Sequence, residues 1–346
     1  MHPRPARAVR ALVALAVSAL ALSGCSNGPD ANASGPLDEL RLGYFANVTH
    51  ASALYGIASG ELQRALGSTV LRTSTFSAGP AAIEALRGGA LDAAFIGPNP
   101  AINGFGQTKG ELLRIVAGTT SGGASLVVRQ GITSVEELAG RKVATPQRGN
   151  TQDVAAKAHF ADRGVDVTVV NQDNAQTLEL LRSGSIDGGW VPEPWASRLV
   201  LDGGGTVLLD EATLWPRGQF VTTHLVVRTD VLRDHPETVD ALLRGLIAVT
   251  DVVATTSPAV QAKVNEQVLA DTGKQLRPEV LASAFARLTP TIDPIATSLL
   301  ETAKDAQAVG VLRPVELAGI YDLRRLNALL AAAGRPTVSD AGLGAS

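Results

Sequence analysis

The sequence predicts an α/β protein made of two similar βαβ lobes with a cleft between them. Three observations carry that prediction: an internal repeat, a pair of strand-like segments where the chain would cross between lobes, and a helical final third. The repeat aligns residues 83–101 with residues 178–196. Glu84 matches Glu179, Leu86 matches Leu181, Arg87 matches Arg182, and Gly89 matches Gly184. Asp92 then matches Asp187, Phe95 matches Trp190, and the Pro-Asn-Pro of 98–100 matches the Pro-Glu-Pro of 192–194. Each copy reads as a helix, a glycine stop, a short strand, and a Pro-x-Pro loop entering a second helix.

A second match lies upstream of each copy. Residues 40–45 and 142–145 read as strands, each followed by a polar helix start, at 47–50 and 149–152. Apolar helical patterns follow at 51–66 and 154–160. Strand-like crossings fall near 121–128 and 219–227, and the chain after Arg228 is expected to return to the first lobe. From Pro236 the pattern is mainly helical, punctuated by Pro258, Pro278, Pro294 and Pro314. The expected organisation is a first lobe at 38–123, a second at 124–222, a return with C-terminal helices at 223–335, and a disordered tail at 336–346. Two α/β lobes around a cleft form a hinged trap.

The N-terminal end reads as an export signal. Arg4, Arg7 and Arg10 precede an apolar run at 11–22, shorter than the roughly 20 residues a membrane span needs. Leu22-Ser23-Gly24-Cys25 looks like a bacterial lipobox, so residues 1–24 are expected to be removed and Cys25 acylated. The protein is then extracytoplasmic and held to the cell membrane, with 25–37 as a flexible tether. Cys25 is the single cysteine, so no disulfide is expected. The formal charge is −3, and no basic patch interleaved with aromatics suits nucleic acid.

In open α/β sheets, ligands bind beyond the carboxyl ends of the strands. Four such loops are predicted, at 45–50, 97–101, 147–153 and 190–195. Unpaired N–H groups at helix starts favour an anion, and Asn47, Thr49, Asn99, Asn150 and Thr151 add neutral donors. The same residue types are ordinary helix caps. The stretch 119–123, with Ser121, lines the predicted hinge or simply turns. Trp190 and Trp195 flank Glu193 and offer aromatic walls, while the match to Phe95 equally fits Trp190 to a core position. Glu193 has three open roles: ligand contact, a bond across the hinge, or a cap on its own helix. His50 lies in a predicted cleft loop, with a cap or surface role as its alternative. No HExxH, CxxC or GxxxxGK[ST] pattern occurs, and no GxSxG elbow stands between a predicted strand and helix to present a nucleophile, so no catalytic residue, metal or cofactor is expected.

The stretches LRLGYFANVTHASAL (40–54), FSAGPAAIEALRGGALDAAFIGPNPA (76–101), KVATPQRGNTQDVA (142–155), GSIDGGWVPEPWASRL (184–199) and LDEATLWPRGQFVTTHLVVR (209–228) resemble the aliphatic-sulfonate branch of the sulfonate/nitrate/taurine solute-binding proteins. The resemblance runs to about residue 330. It implies a type II periplasmic-binding-protein fold with two crossover strands. It also implies a monomer without enzymatic activity that delivers a small anion to the permease of an ABC importer. The contacts it implies are Asn47, Thr49, His50, Asn99, Ser121, Asn150, Thr151, Gln152, Trp190 and Glu193. An alkanesulfonate is the leading ligand. Nitrate, bicarbonate, taurine and a thiamine pyrimidine precursor are the alternatives. A pyrimidine-forming enzyme on the same fold would need a cysteine-rich iron site that this chain lacks. Arg148 departs from the branch, which often has an apolar residue before the Gly-Asn-Thr, and is expected to neutralise Glu193 or clamp the anion.

Overall fold

The computed structural model describes residues 35–345; the expected signal, Cys25 and most of the tether lie outside the described residues. The first lobe opens with β1 (Glu39–Tyr44), whose Leu40 and Leu42 are buried. A 3-10 turn (Val48–His50) leads into α1 (Ala51–Ala58) and α2 (Glu61–Leu66). Next come β2 (Val70–Thr75), α3 (Gly79–Arg87), β3 (Ala93–Ile96), α4 (Pro98–Gln107) and β4 (Leu113–Gly122). The second lobe contains β5 (Ala124–Val128), β6 (Lys142–Thr145), α5 (Thr151–Asp162), β7 (Thr168–Asn171), α6 (Asn174–Arg182), β8 (Gly188–Pro192), α7 (Trp195–Leu201) and β9 (Thr206–Asp210). The remainder is β10 (Val221–Arg228), α8 (Thr229–Asp234), α9 (Pro236–Val253), α10 (Pro258–Thr272), α11 (Pro278–Phe285), β11 (Leu288–Pro290), α12 (Ala296–Ala308) and α13 (Arg324–Ala332).

The strands form two sheets, ordered β11-β4-β10-β3-β1-β2 and β7-β6-β8-β5-β9. In each, a central strand pairs in parallel with the next two strands of its lobe: β1 with β2 and β3, and β6 with β7 and β8. An antiparallel strand then extends each triplet, β10 beside β3 and β5 beside β8. The repeated aspartate does the same work in both. Asp92 accepts from the backbone N–H of Arg41 at 2.8 Å, and its own N–H donates to the Arg41 carbonyl at 2.8 Å. Asp187 accepts from the N–H of Lys142 at 3.1 Å and donates to the Lys142 carbonyl at 2.8 Å. Each pins the strand that carries a cleft loop, which gives the repeat a physical meaning.

The first crossing is abrupt. Gly122 and Gly123 both sit at φ +77°, a conformation that admits glycine far more readily than other residues, and join β4 directly to β5. The second crossing, 211–220, is two 3-10 turns, with Trp215 stacked on Phe220 at 5.4 Å. After β10 the chain covers the first sheet, and α9 and α10 pack on α1. It also reaches the second lobe: α12 packs on α5, Ser197 bonds Ser283 at 2.8 Å, and Arg277 pairs with Asp202 at 2.6 Å. The return segment therefore spans both lobes instead of merely completing the first.

The expected disordered tail is a correction. Asn327 holds Val338 at both ends, accepting from its N–H at 2.8 Å and donating to its carbonyl at 3.0 Å. Gly319 and Tyr321 then donate to the Leu343 carbonyl. These long-range backbone bonds are invisible in the local composition, which is polar and small.

Candidate functional site

The carboxyl ends of the parallel strands face each other across the cleft. They enclose a cavity of about 20 Å³, room for about one water. From the first lobe it is lined by Phe45, Asn47, Thr49 and His50 after β1, Ser77 after β2, and Gly97 after β3. The second lobe supplies Asn150, Thr151 and Gln152 after β6, Asn174 after β7, and Pro192 at the end of β8. Thr222 on β10 closes the wall. The lobes touch around this space. Trp195 Nε1 donates to Asn47 Oδ1 at 3.0 Å, Thr49 N–H to the Glu193 carbonyl at 3.4 Å, and Gln147 Nε2 to Ser77 Oγ at 3.5 Å.

Each loop is held from behind. The Thr49 carbonyl accepts from Thr120 Oγ1 at 2.7 Å and Thr223 Oγ1 at 3.0 Å, so both crossing strands fix the turn after β1. Behind the β6–α5 loop sits Asp153, fully buried. It accepts from Thr145 Oγ1, Asn171 Nδ2 and the N–H of Gly149 at 2.8–3.0 Å, with Lys157 Nζ at 2.8 Å.

The asparagines at the helix starts do not cap. Asn47 and Asn150 occupy N-cap positions of extended backbone, yet neither side chain accepts a capping bond from its helix backbone. Asn150 Nδ2 instead donates to Gln152 Oε1 at 3.3 Å. Among the described residues, three buried polar atoms of the lining residues have no hydrogen-bond partner: His50 Nε2, Thr151 Oγ1 and Asn174 Oδ1. Burial lowers the His50 pKa to about 3, so its ring is neutral near pH 7, bonded to Thr49 Oγ1 at 3.2 Å and tilted on Phe45. Among the described residues, no cationic side chain lines the cavity. Its polar chemistry is neutral amides, hydroxyls and an imidazole, joined by the backbone N–H groups of Thr151 and Gln152 at the start of α5.

Four expected contacts fall elsewhere. Trp190 alternates along β8 with Val191, so its ring enters the core of the second lobe. There it meets His159 at 5.4 Å and Phe160 at 6.2 Å, and its Nε1 donates to Glu211 at 2.7 Å. The tryptophan that reaches the cleft is Trp195. Glu193 is fully buried beside the cavity; its Oε2 accepts from Ser197 N–H at 3.0 Å, capping α7, while its carbonyl reaches Thr49. The cation facing it is Arg287, at 3.6 Å, and Arg148 is exposed. Burial outweighs that neighbour and pushes the Glu193 carboxyl up to about 7. Ser121 Oγ accepts from Phe220 N–H at 3.3 Å, and the residue lines a separate pocket of about 340 Å³ at the hinge. Asn99 is buried but does not line the cavity, because α4 begins at Pro98 and Gly97 holds the position facing the cleft.

Sequence reasoning missed Phe45 as a wall, Ser77, Gly97, Asn174, Pro192 and Thr222. Ser77 lies in the loop after β2, and Asn174 opens α6 shortly after β7, so both follow the second strand of their lobe. At the repeat's own offset Ser77 falls opposite Gln172 and Asn174 opposite Gly79, so the repeat does not mark these two residues.

A family model described as the NMT1-like family matches residues 33–269. The taurine-binding periplasmic protein of Escherichia coli (strain K12) is 28% identical over 174 residues, 50% of this chain and 54% of that protein. The chain thus spans about half the length of that relative. The alkanesulfonate-binding protein SsuA from Xanthomonas axonopodis pv. citri, bound to MOPS, superposes with a TM-score of 0.69 at 20% identity, covering 81% of this chain and 96% of that one. The periplasmic nitrate-binding protein NrtA from Synechocystis PCC 6803 gives a TM-score of 0.69 at 16% identity, covering 81% and 83%. The fold is therefore that of these two-lobed binding proteins.

Proposed function

The chain belongs to the NMT1-like family, and from that premise we propose that it is the extracytoplasmic solute-binding protein of an ABC importer, capturing an aliphatic sulfonate by lobe closure. The observation that carries this reading is the pair Asn47 and Asn150. One comes from each lobe, both sit at helix starts, both line the cavity, and neither side chain is spent on capping. A sulfonate offers three acceptor oxygens to such donors and needs no cationic partner when helix N–H groups face it. Taurine and alkanesulfonates, named for two of the similar proteins, share that head group. Closure itself presents the loaded state to the permease, and no bond is made or broken.

The cavity volume of about 20 Å³ favours a second reading, an oxyanion without a tail such as nitrate or bicarbonate. Thermal unfolding against alkanesulfonates of increasing length, taurine, sulfate, nitrate, bicarbonate and a hydroxymethylpyrimidine separates the two. A ligand at about 100 times its Kd adds roughly 2.7 kcal/mol to the folded state. The midpoint should then rise by about 4 °C. Shifts with the sulfonates alone are expected; a shift only with nitrate or bicarbonate moves the ligand to the second reading, and no shift with any member defeats both.

A further inference from the structure

Gly97 ends the strand that carries the α4 loop, and its backbone lies at φ −74°, ψ 165°. Every L-residue adopts that conformation without strain, so nothing in the residue's own backbone asks for glycine. The space around it does. A Cβ built there would lie 2.2 Å from Thr151 Oγ1 and 3.4 Å from Thr151 Cβ, with the Thr222 carbonyl oxygen at 3.5 Å. Thr151 belongs to the opposite lobe, is the first residue of α5, and is 5% exposed with its hydroxyl unpartnered. The collision is therefore across the cleft and against a buried side chain.

We propose that Gly97 and Thr151 form the stop that sets the width of the closed cleft. The missing side chain at 97 lets the start of α5 seat against the β3–α4 loop, and any side chain there holds the lobes apart. This inference rests on the closing-trap reading above and adds to it the residue pair that decides how far closure proceeds. To bring a 2.2 Å approach to ordinary carbon–oxygen contact, the gap must widen by roughly 1 Å. Hydrogen bonds lose most of their strength over such a displacement. A ligand bridging Asn47 on one side and Asn150 on the other would then be held by one lobe only. Gly97 acts through Thr151 and is a positioning residue.

The test is a distance measurement by pulsed EPR on the full chain, with nitroxides at Glu84→Cys on α3 and Glu179→Cys on α6 and with Cys25→Ser. Both label sites are exposed, one in each lobe. Closure is driven in two ways: with ethanesulfonate, and without ligand by a polyethylene glycol osmolyte, which favours the state that excludes water. Gly97→Ala is expected to lower the closed-to-open ratio at least tenfold in each condition that closes the unsubstituted cleft. Gly97→Ala with Thr151→Ala is expected to return to the ratio of Thr151→Ala alone, because the two Cβ atoms then stand at ordinary contact. The proposal is overturned if Gly97→Ala closes as fully as the unsubstituted chain, or if the double variant stays as open as Gly97→Ala. It is also overturned if the unsubstituted chain closes under neither condition. Closure in osmolyte but not with ethanesulfonate defeats the sulfonate reading alone and leaves the pair testable in the osmolyte.

Discussion

Asn150 is the residue type that helix starts recruit for capping, yet its side chain makes no cap bond; it lines the cavity and donates to Gln152 Oε1. Thr151 beside it carries a buried hydroxyl with no partner. Groups left in that state cost stability unless something else satisfies them, and on the proposed reading a bound oxyanion would do so. Replacing both with alanine should therefore weaken ligand binding at least tenfold, while the ligand-free unfolding midpoint moves by less than about 2 °C. Calorimetric titration with the ligand that shifts unfolding checks the first part. Unchanged affinity would remove the start of α5 from the site. The sequence marked these positions because polar residues at predicted helix starts are conspicuous. Whether they cap or bind is decided by χ angles and by what faces them, which only the folded chain supplies. Trp190 shows the converse. Its place beside Pro-Glu-Pro made it look like a cleft wall, but strand alternation turns it to the core.

The β6–α5 loop illustrates how an element presents a site. Asp153 was unremarkable in the sequence, a carboxylate in the first turn of a helix. In the fold it gathers Thr145, Asn171, the Gly149 N–H and Lys157 into one buried cluster. Asp153→Ala would leave those groups unpaired and Lys157 without its counter-charge. A loss of about 3–5 kcal/mol is expected from breaking a buried charged network in this way. Chemical denaturation measures it, and a loss under 1 kcal/mol would show that the loop is held by backbone geometry alone. The tail gives a parallel lesson. Composition predicted a loose end, but Asn327 grips Val338 through both of its amide atoms. The identical two-bond grip of Asn265 on Leu276 orders the turn after α10. An asparagine eleven residues upstream is too generic a signal to read without the structure.

Across the whole molecule, burial sets the response to pH. His50 and His224 have their pKa values lowered by burial to about 3 and about 4. Between pH 6.5 and those values the unfolded chain takes up protons that the folded chain refuses, so stability falls on acidification. Glu193 and Glu211 are pushed up by burial to about 7. Their contribution has the opposite sign: it is fully present below about pH 4.5 and is lost as pH rises through 7. Glu193→Gln keeps an acceptor for the Ser197 N–H but cannot ionise. Its stability relative to the unsubstituted chain should therefore improve by about 1–3 kcal/mol between pH 5 and pH 8. Denaturation at the two values is the check, and a constant difference would mean that Glu193 ionises as an ordinary carboxylate despite its burial.

The sequence by itself determined the two-lobed plan, because the repeat is local: a glycine stop, an aspartate and a Pro-x-Pro loop recur at fixed spacing, and each unit folds into the same βαβ piece. It also marked cleft loops that carry neutral donors, since helix starts follow from short-range pattern. Tertiary structure decided the rest. Which asparagine faces the cavity, which tryptophan spans the lobes, which arginine meets Glu193, and how closely Gly97 lets Thr151 approach all depend on contacts between residues far apart in the chain. Such contacts are fixed by how two separately formed lobes pack and hinge, and no local pattern of residues encodes that geometry.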